Sequence, residues 1–277
     1  MTNISNLSLH IFGDSNVWGD EQPNCTIGVN SQPSKTTFPY YIAKKFDITD
    51  IHNHAVSGGS LQLVCDSILF NFLPKNYSLD DIIIVYLPNC AKYSFVTNDR
   101  KEYKSIEDII RYRLRSCIYD NDLKKDTVNW MMKHMWHEQA LYYNVIKHVA
   151  TIDIFLKDYK NVFYFWNTRH HLSSFREGQD GLDSELKFRN AWFPTDDIAD
   201  PFIGDDVFDN NVIEQEYPAF KRIKERTVDW DILSVFDSIS DQLSVHKYKQ
   251  KHHAPQVHEH YVDTFLYEHV KEKLNVD

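Results

Sequence analysis

With 277 residues, 42% of them hydrophobic and 25% charged, the chain has the make-up of a folded protein able to bury a sizeable core. Its formal charge of -10, with no basic run longer than Lys44-Lys45 or Lys124-Lys125, repels phosphate backbones and anionic membranes, so neither nucleic acid nor membrane is expected as a partner. Met1 to Ser8 carries neither a basic nor an apolar region, and no stretch of about 18 uncharged apolar residues occurs, so no secretory leader or span is expected.

In chain order, a first strand runs through Leu7, Leu9 and Ile11 to Phe12, followed by an amphipathic stretch from Phe38 to Phe46 and a short strand near Ile51. Leu61, Val64, Ile68 and Phe72 recur at helical spacing. Ile82 to Leu87 is an unbroken apolar run rich in β-branched residues. Continuous apolarity in place of alternation marks a strand buried on both faces, hence a parallel sheet covered by helices. Leu141, Val145, Val149 and Ile152 then predict a helix that leads to the strand Val162 to Trp166, a second crossover onto the same sheet. A last helix is expected from His258 through Tyr261, Phe265, Leu266 and Val270, with Pro255 as its start signal. The fold class expected is α/β, a three-layer α/β/α sandwich in one domain over 1–277, with ligands gathering outside the carboxyl ends of the strands.

Two stretches fit this pattern badly. Residues 96–135 are charged and weakly periodic, and 171–231 carry Gly178, Gly181, several prolines and an acidic run from Asp196 to Asp209. Both read as insertions that serve as lids or caps, or else as solvated loops. Cys25, Cys65, Cys90 and Cys117 lie far apart with no C-x-x-C spacing, which favours scattered thiols over a disulfide framework or a zinc site. A cytoplasmic protein, or one carried on a phage particle or virion assembled there, is the expectation.

Gly13-Asp14-Ser15 follows directly on the first strand and sets a serine on the tight turn that leaves it. Asn53 to Ser60 supplies a second glycine-containing turn, and Tyr86-Leu87-Pro88-Asn89 puts an asparagine just past the most buried strand. A serine hydroxyl is a weak nucleophile at neutral pH and needs a base, which the histidines ahead of the last helix would supply. The amides of Ser15 and Gly58 and the side-chain amide of Asn89 are the donor types that stabilise an oxyanion. Each residue also has a plainer reading: Ser15 as a turn residue, Asp14 as a cap that fixes the turn, Gly58 as a site of positive φ, Asn89 as a loop cap.

The ordered set resembles the SGNH (GDSL-type) hydrolase family, whose four blocks contribute Ser, Gly, Asn and His. Gly13-Asp14-Ser15 matches the first block, Asn53 to Gly58 the second with Gly58 as its glycine, and Asn89 the asparagine of the third, where Leu87-Pro88-Asn89-Cys90 stands for G-x-N-D. In the fourth block, counting from His252 puts Pro255, His258 and Tyr261 at the family's spacings, whereas counting from His253 breaks that register. The resemblance implies a flavodoxin-like sandwich, Ser15 as nucleophile, His252 as base, an oxyanion hole of Ser15, Gly58 and Asn89, support from Asp14 and His253, and no cofactor. The aspartate that the family places three residues before its histidine is Lys249 here.

The expected function is a serine esterase or acyl hydrolase acting through an acyl-enzyme on a carbohydrate or other small ester, with the aromatic-rich insertions suggesting an acylated sugar. Its rival is a non-catalytic interaction or structural protein on the same scaffold, suggested by Lys249 and the weak third block. A nucleotide binder is disfavoured, since neither G-x-G-x-x-G nor a P-loop occurs. A metal is not expected: His252, His253, His258 and His260, with His170 and His171 elsewhere, lack metal-site spacing. Composition is silent on oligomeric state.

Overall fold

The computed structural model describes residues 4–26, 32–88, 92–95, 114–117, 138–167, 218–229, 232–248 and 252–275. The central strand β3 is Ile82–Leu87, and all six of its residues are buried. Its side chains alternate between two cores. Ile83, Val85 and Leu87 enter one apolar cluster, while Ile84, Tyr86 and Ile82 enter the other, so one strand separates two layers of helices.

Around it lie β1 (Leu9–Phe12), β2 (Ile51–Asn53), β6 (Asn161–Trp166) and β7 (Thr227–Asp229), with β4 (Lys92–Phe95) and β5 (Leu114–Cys117) forming a separate antiparallel pair. The main sheet has the order β2-β1-β3-β6-β7 and every pairing in it is parallel. Taken in chain order those five strands run 2-1-3-4-5, the flavodoxin-like order, in which strand order reverses beside β1 and leaves a crevice at the carboxyl ends of the strands.

One helical layer comprises α3 (Leu61–Ser67), α4 (Glu138–Leu156) and α5 (Pro218–Arg226), which bury Leu61, Val64, Val149, Ile152, Leu156 and Ile223. Asp153 of α4 is fully buried and accepts from Arg222 of α5 at 2.9 Å through Nε and 2.6 Å through Nη2. Burial pushes that carboxyl upward in pKa and the two bonds from Arg222 oppose the shift. The other layer comprises α2 (Phe38–Lys45), α6 (Ile232–Leu243), α7 (Pro255–Tyr261) and α8 (Tyr267–Lys273), with Phe38, Ile42, Phe236, Val257 and Tyr261 inside.

The fold is therefore the three-layer α/β sandwich expected from the apolar runs. One boundary needs correction. The range 171–231 does not end as an insertion, because residues 218–229 form α5 and β7, a helix of one layer and the edge strand beside β6. Thr227–Asp229 is only half-buried and has no apolar pattern to announce it. The rest of that range, and most of 96–135, lies outside the described residues. Among the described residues no helix is long and apolar enough to cross a membrane.

Candidate active site

The crevice is built first by the turn after β1. Gly13 has φ +153, and a Cβ there would stand 2.6 Å from Val17 Cγ2 and 2.8 Å from Tyr86 Cβ, so only glycine lets this turn lie against β3. Asp14 then caps the short helix α1 (Ser15–Trp18): its Oδ1 accepts from the backbone N–H of Asn16 at 2.9 Å and from Asn16 Nδ2 at 3.0 Å. Ser15 is the first residue of that helix and is 8% exposed. Its carbonyl accepts from the N–H groups of Gly19 at 2.8 Å and Asp20 at 3.1 Å, which folds the following loop back over the serine's own backbone.

The turn after β2 is tied to the first by several bonds. Val56 N–H donates to the Gly13 carbonyl at 3.0 Å, Asn53 Nδ2 donates to the Val17 carbonyl at 3.1 Å, and the Ser57 hydroxyl donates to the Asp20 carboxylate. Asn53 also accepts from Ala55 N–H at 3.0 Å, holding the chain as it enters the Ser57-Gly58 turn, where Gly58 has φ +66. Ser60 caps α3 by accepting from Leu63 N–H at 3.3 Å. The first two sequence blocks thus form one hydrogen-bonded unit at the carboxyl ends of β1 and β2. Asn89 lies outside the described residues, as does Lys249.

The loop ahead of α7 arrives at the same unit. His252 Nδ1 is 3.1 Å from Glu21 Oε2, and the His253 carbonyl accepts from the side-chain amide of Gln22. Gln22 is itself held, since its Oε1 accepts from Thr36 Oγ1 at 3.0 Å and its N–H donates to the Gly19 carbonyl at 3.0 Å. The loop carrying Ser15 and the loop carrying His252 are therefore joined through adjacent residues, Glu21 and Gln22.

The two neighbouring histidines use opposite ring nitrogens. His252 presents Nδ1 to the Glu21 carboxylate, an acceptor when ionised, and this leaves Nε2 as its other ring nitrogen. His253 donates Nε2–H to Asp237 Oδ1 at 2.6 Å, its side chain is 3% exposed, and Lys247 pairs with the same oxygen. His258 performs a third task. Its Nδ1 accepts the Phe38 N–H at 3.3 Å, filling the place of an end cap on α2, where Thr37 makes no side-chain cap. Burial, with His253 and His252 adding to it, pushes the His258 imidazole down to about 3, so it stays neutral and able to accept.

Glu21, Gln22 and Asp237 are participants that sequence reading did not single out. Glu21 and Gln22 have their partners 231 positions along the chain, at His252 and His253, whereas Asp237 meets His253 across 16, and no local spacing announces either pairing. Among the described residues, no group of three or more His, Cys, Asp or Glu side chains is arranged to hold a metal ion. His170 and His171 lie outside them.

No protein-family model matches the chain, and no curated protein does either. Solved structures do show likenesses. A member of the lipolytic protein G-D-S-L family from Veillonella parvula is 11% identical with a TM-score of 0.43, covering 94% of this chain and 98% of that one. A carbohydrate esterase family 2 enzyme with a carbohydrate-binding domain, from Corynascus thermopiles (Myceliophthora fergusii), is 12% identical with a TM-score of 0.44, covering 98% of this chain and 67% of that one. To proteins of these two kinds the chain is distantly similar over nearly its whole length.

Proposed function

We propose that the chain is a diverged SGNH-type ester hydrolase that works through an acyl-enzyme on Ser15. The observation that carries this reading is the convergence of three separate segments at the carboxyl ends of β1 and β2: Gly13 to Gln22, Asn53 to Ser60, and His252-His253. A turn serine, a glycine turn and an imidazole with a carboxylate behind it are the parts of acyl transfer.

In this reading His252 Nε2 takes the Ser15 hydroxyl proton as Oγ attacks the ester carbonyl carbon. The amides of Ser15 and Gly58 and the side chain of Asn89 stabilise the tetrahedral oxyanion, each such donor being worth about 2.7–4 kcal/mol of barrier. Asp14 holds the serine's turn. The imidazolium returns its proton to the leaving alcohol, and water, activated by the same nitrogen, releases the acid. No cofactor takes part. An acylated carbohydrate or another small ester is the substrate class proposed.

Hydrolysis of p-nitrophenyl acetate by wild type and by Ser15→Ala tests the reading. The expected result is a loss of at least about a thousandfold in kcat/KM in the variant. Equal rates would leave a non-catalytic protein on the same scaffold as the better account.

A further inference from the structure

Building on that assignment of Ser15 and His252, we propose that Glu21 is the positioning carboxylate of the site, acting on His252 from the nucleophile's own loop, where the fourth sequence block has Lys249 in place of an acid. The carboxylate is 3.1 Å from His252 Nδ1, and the two side chains are 21% and 11% exposed, so water has limited access to the pair.

The loop fixes Glu21 on both sides. Asp20 before it donates its N–H to the Ser15 carbonyl and accepts from Ser57, while Gln22 after it binds Gly19, Thr36 and the His253 carbonyl. Glu21 itself has φ +62, a left-handed conformation that a glutamate adopts at a cost of about 1 kcal/mol or more and keeps only where its surroundings impose it. From that position its carboxylate meets the His252 ring. Because both neighbours are anchored to the Ser15 turn and to the peptide of His253, the distance from acid to imidazole is set by the same bonds that set the turn.

The chemistry follows from the ring nitrogen that is bound. With Nδ1–H donated to Glu21, the lone pair sits on Nε2, which accepts the Ser15 proton as the Oγ–carbon bond forms. The imidazolium then carries both N–H groups, Glu21 remains ionised, and the Nε2 proton passes to the leaving alcohol. Asp237 is poorly suited to this task. It binds the other nitrogen of the other histidine, and Lys247 already matches its charge, which makes that trio a clasp between α6 and the loop ahead of α7.

Two readouts on wild type, Glu21→Gln and Glu21→Asp decide the matter. The first is the ¹⁵N spectrum of the His252 ring above its titration range. Wild type is expected to show Nδ1 protonated and Nε2 bare, and Glu21→Gln to lose that preference. The second is kcat/KM on p-nitrophenyl acetate, expected to fall by about a hundredfold in Glu21→Gln with KM little changed, and to recover in part in Glu21→Asp. A protonated Nε2 in wild type, or a Glu21→Gln protein with unaltered ring signals or an unaltered rate, overturns the assignment. Failure of the hydrolase reading has a different signature: wild type itself neither hydrolyses the ester nor takes up a fluorophosphonate, and the ring signals alone then judge whether Glu21 holds the tautomer.

Discussion

Among the described residues histidines gather on β1 and β2 and again on the loop ahead of α7, and the two gatherings are built differently. On β1 and β2, His10 and His52 stack with ring centroids 4.9 Å apart and planes 7° from parallel, and His10 Nδ1 faces His54 Nε2 at 3.4 Å. Phe12, Phe72 and Tyr77 pack around them. Here imidazole packs on imidazole, and the carboxylates nearby stand beside the outer nitrogens, Asp81 Oδ2 3.5 Å from His10 Nε2 and Asp50 Oδ1 3.2 Å from His52 Nε2. Burial and neighbouring histidines push His10 and His54 down to about 3, so neither exchanges a proton near neutral pH. On the loop ahead of α7 the two rings are held singly by hydrogen bonds to carboxylates, His252 through Nδ1 to Glu21 and His253 through Nε2 to Asp237. The difference teaches that a cluster of imidazoles is not in itself a site; what matters is the partner each nitrogen meets and which nitrogen that leaves.

The sharpest way to break this comparison is to remove one histidine from each set. His252→Ala is expected to lower kcat/KM by about 10²–10⁴-fold while the urea midpoint stays near wild type, and His10→Leu to leave the rate within about threefold. His253→Ala separates the two loop histidines: it removes one of the two partners of Asp237 and costs about 1–3 kcal/mol of stability, with activity retained in the folded fraction. Activity that survives in His252→Ala and disappears in His253→Ala would transfer the base to His253.

Next in size is the turn on which the serine stands. Gly13→Ala forces a methyl group into Val17 and Tyr86 at a φ that alanine avoids, and urea unfolding should show a loss of about 3 kcal/mol. A near-neutral result would mean that the turn is looser than its contacts imply.

Acid supplies the most gradual effect. His10, His54 and His258 hold their protons less well in the folded state, at about 3, than an ordinary imidazole near 6.5. The unfolded chain therefore binds more protons as pH falls below about 6.5, and their contribution to stability, complete above that pH, is lost progressively toward about 3. Thermal midpoints measured from pH 7 to pH 4 should fall throughout, and His10→Leu should make the slope shallower. An unchanged slope would show that the stack is not acid-sensitive.

Much of the scaffold was legible because its signals are local. Ile82 to Leu87 announces a strand buried on both faces, and the helices over Phe38–Lys45, Glu138–Leu156 and the C-terminal stretch carry apolar spacing that neighbours reinforce. α6 is harder to read: Ile232, Phe236 and Ile239 recur at helical spacing, but the acidic, proline-bearing segment before them masks the pattern. β7 has no such pattern. Its three residues are half-buried at the sheet's edge and take their strand geometry from β6. For the site, Gly13, Asp14, Ser15 and Gly58 lie in turns that short motifs describe well. Glu21 and Gln22 belong to the same loop, yet their partners come from the other end of the chain, so only the folded arrangement reveals them.

Covalent labelling with a fluorophosphonate, followed by peptide mapping, tests the central claim most directly. The account predicts one adduct, on the peptide that contains Ser15, abolished in Ser15→Ala and slowed in His252→Ala and Glu21→Gln. An adduct on any other peptide, or a wild-type protein that takes up no label, would contradict it.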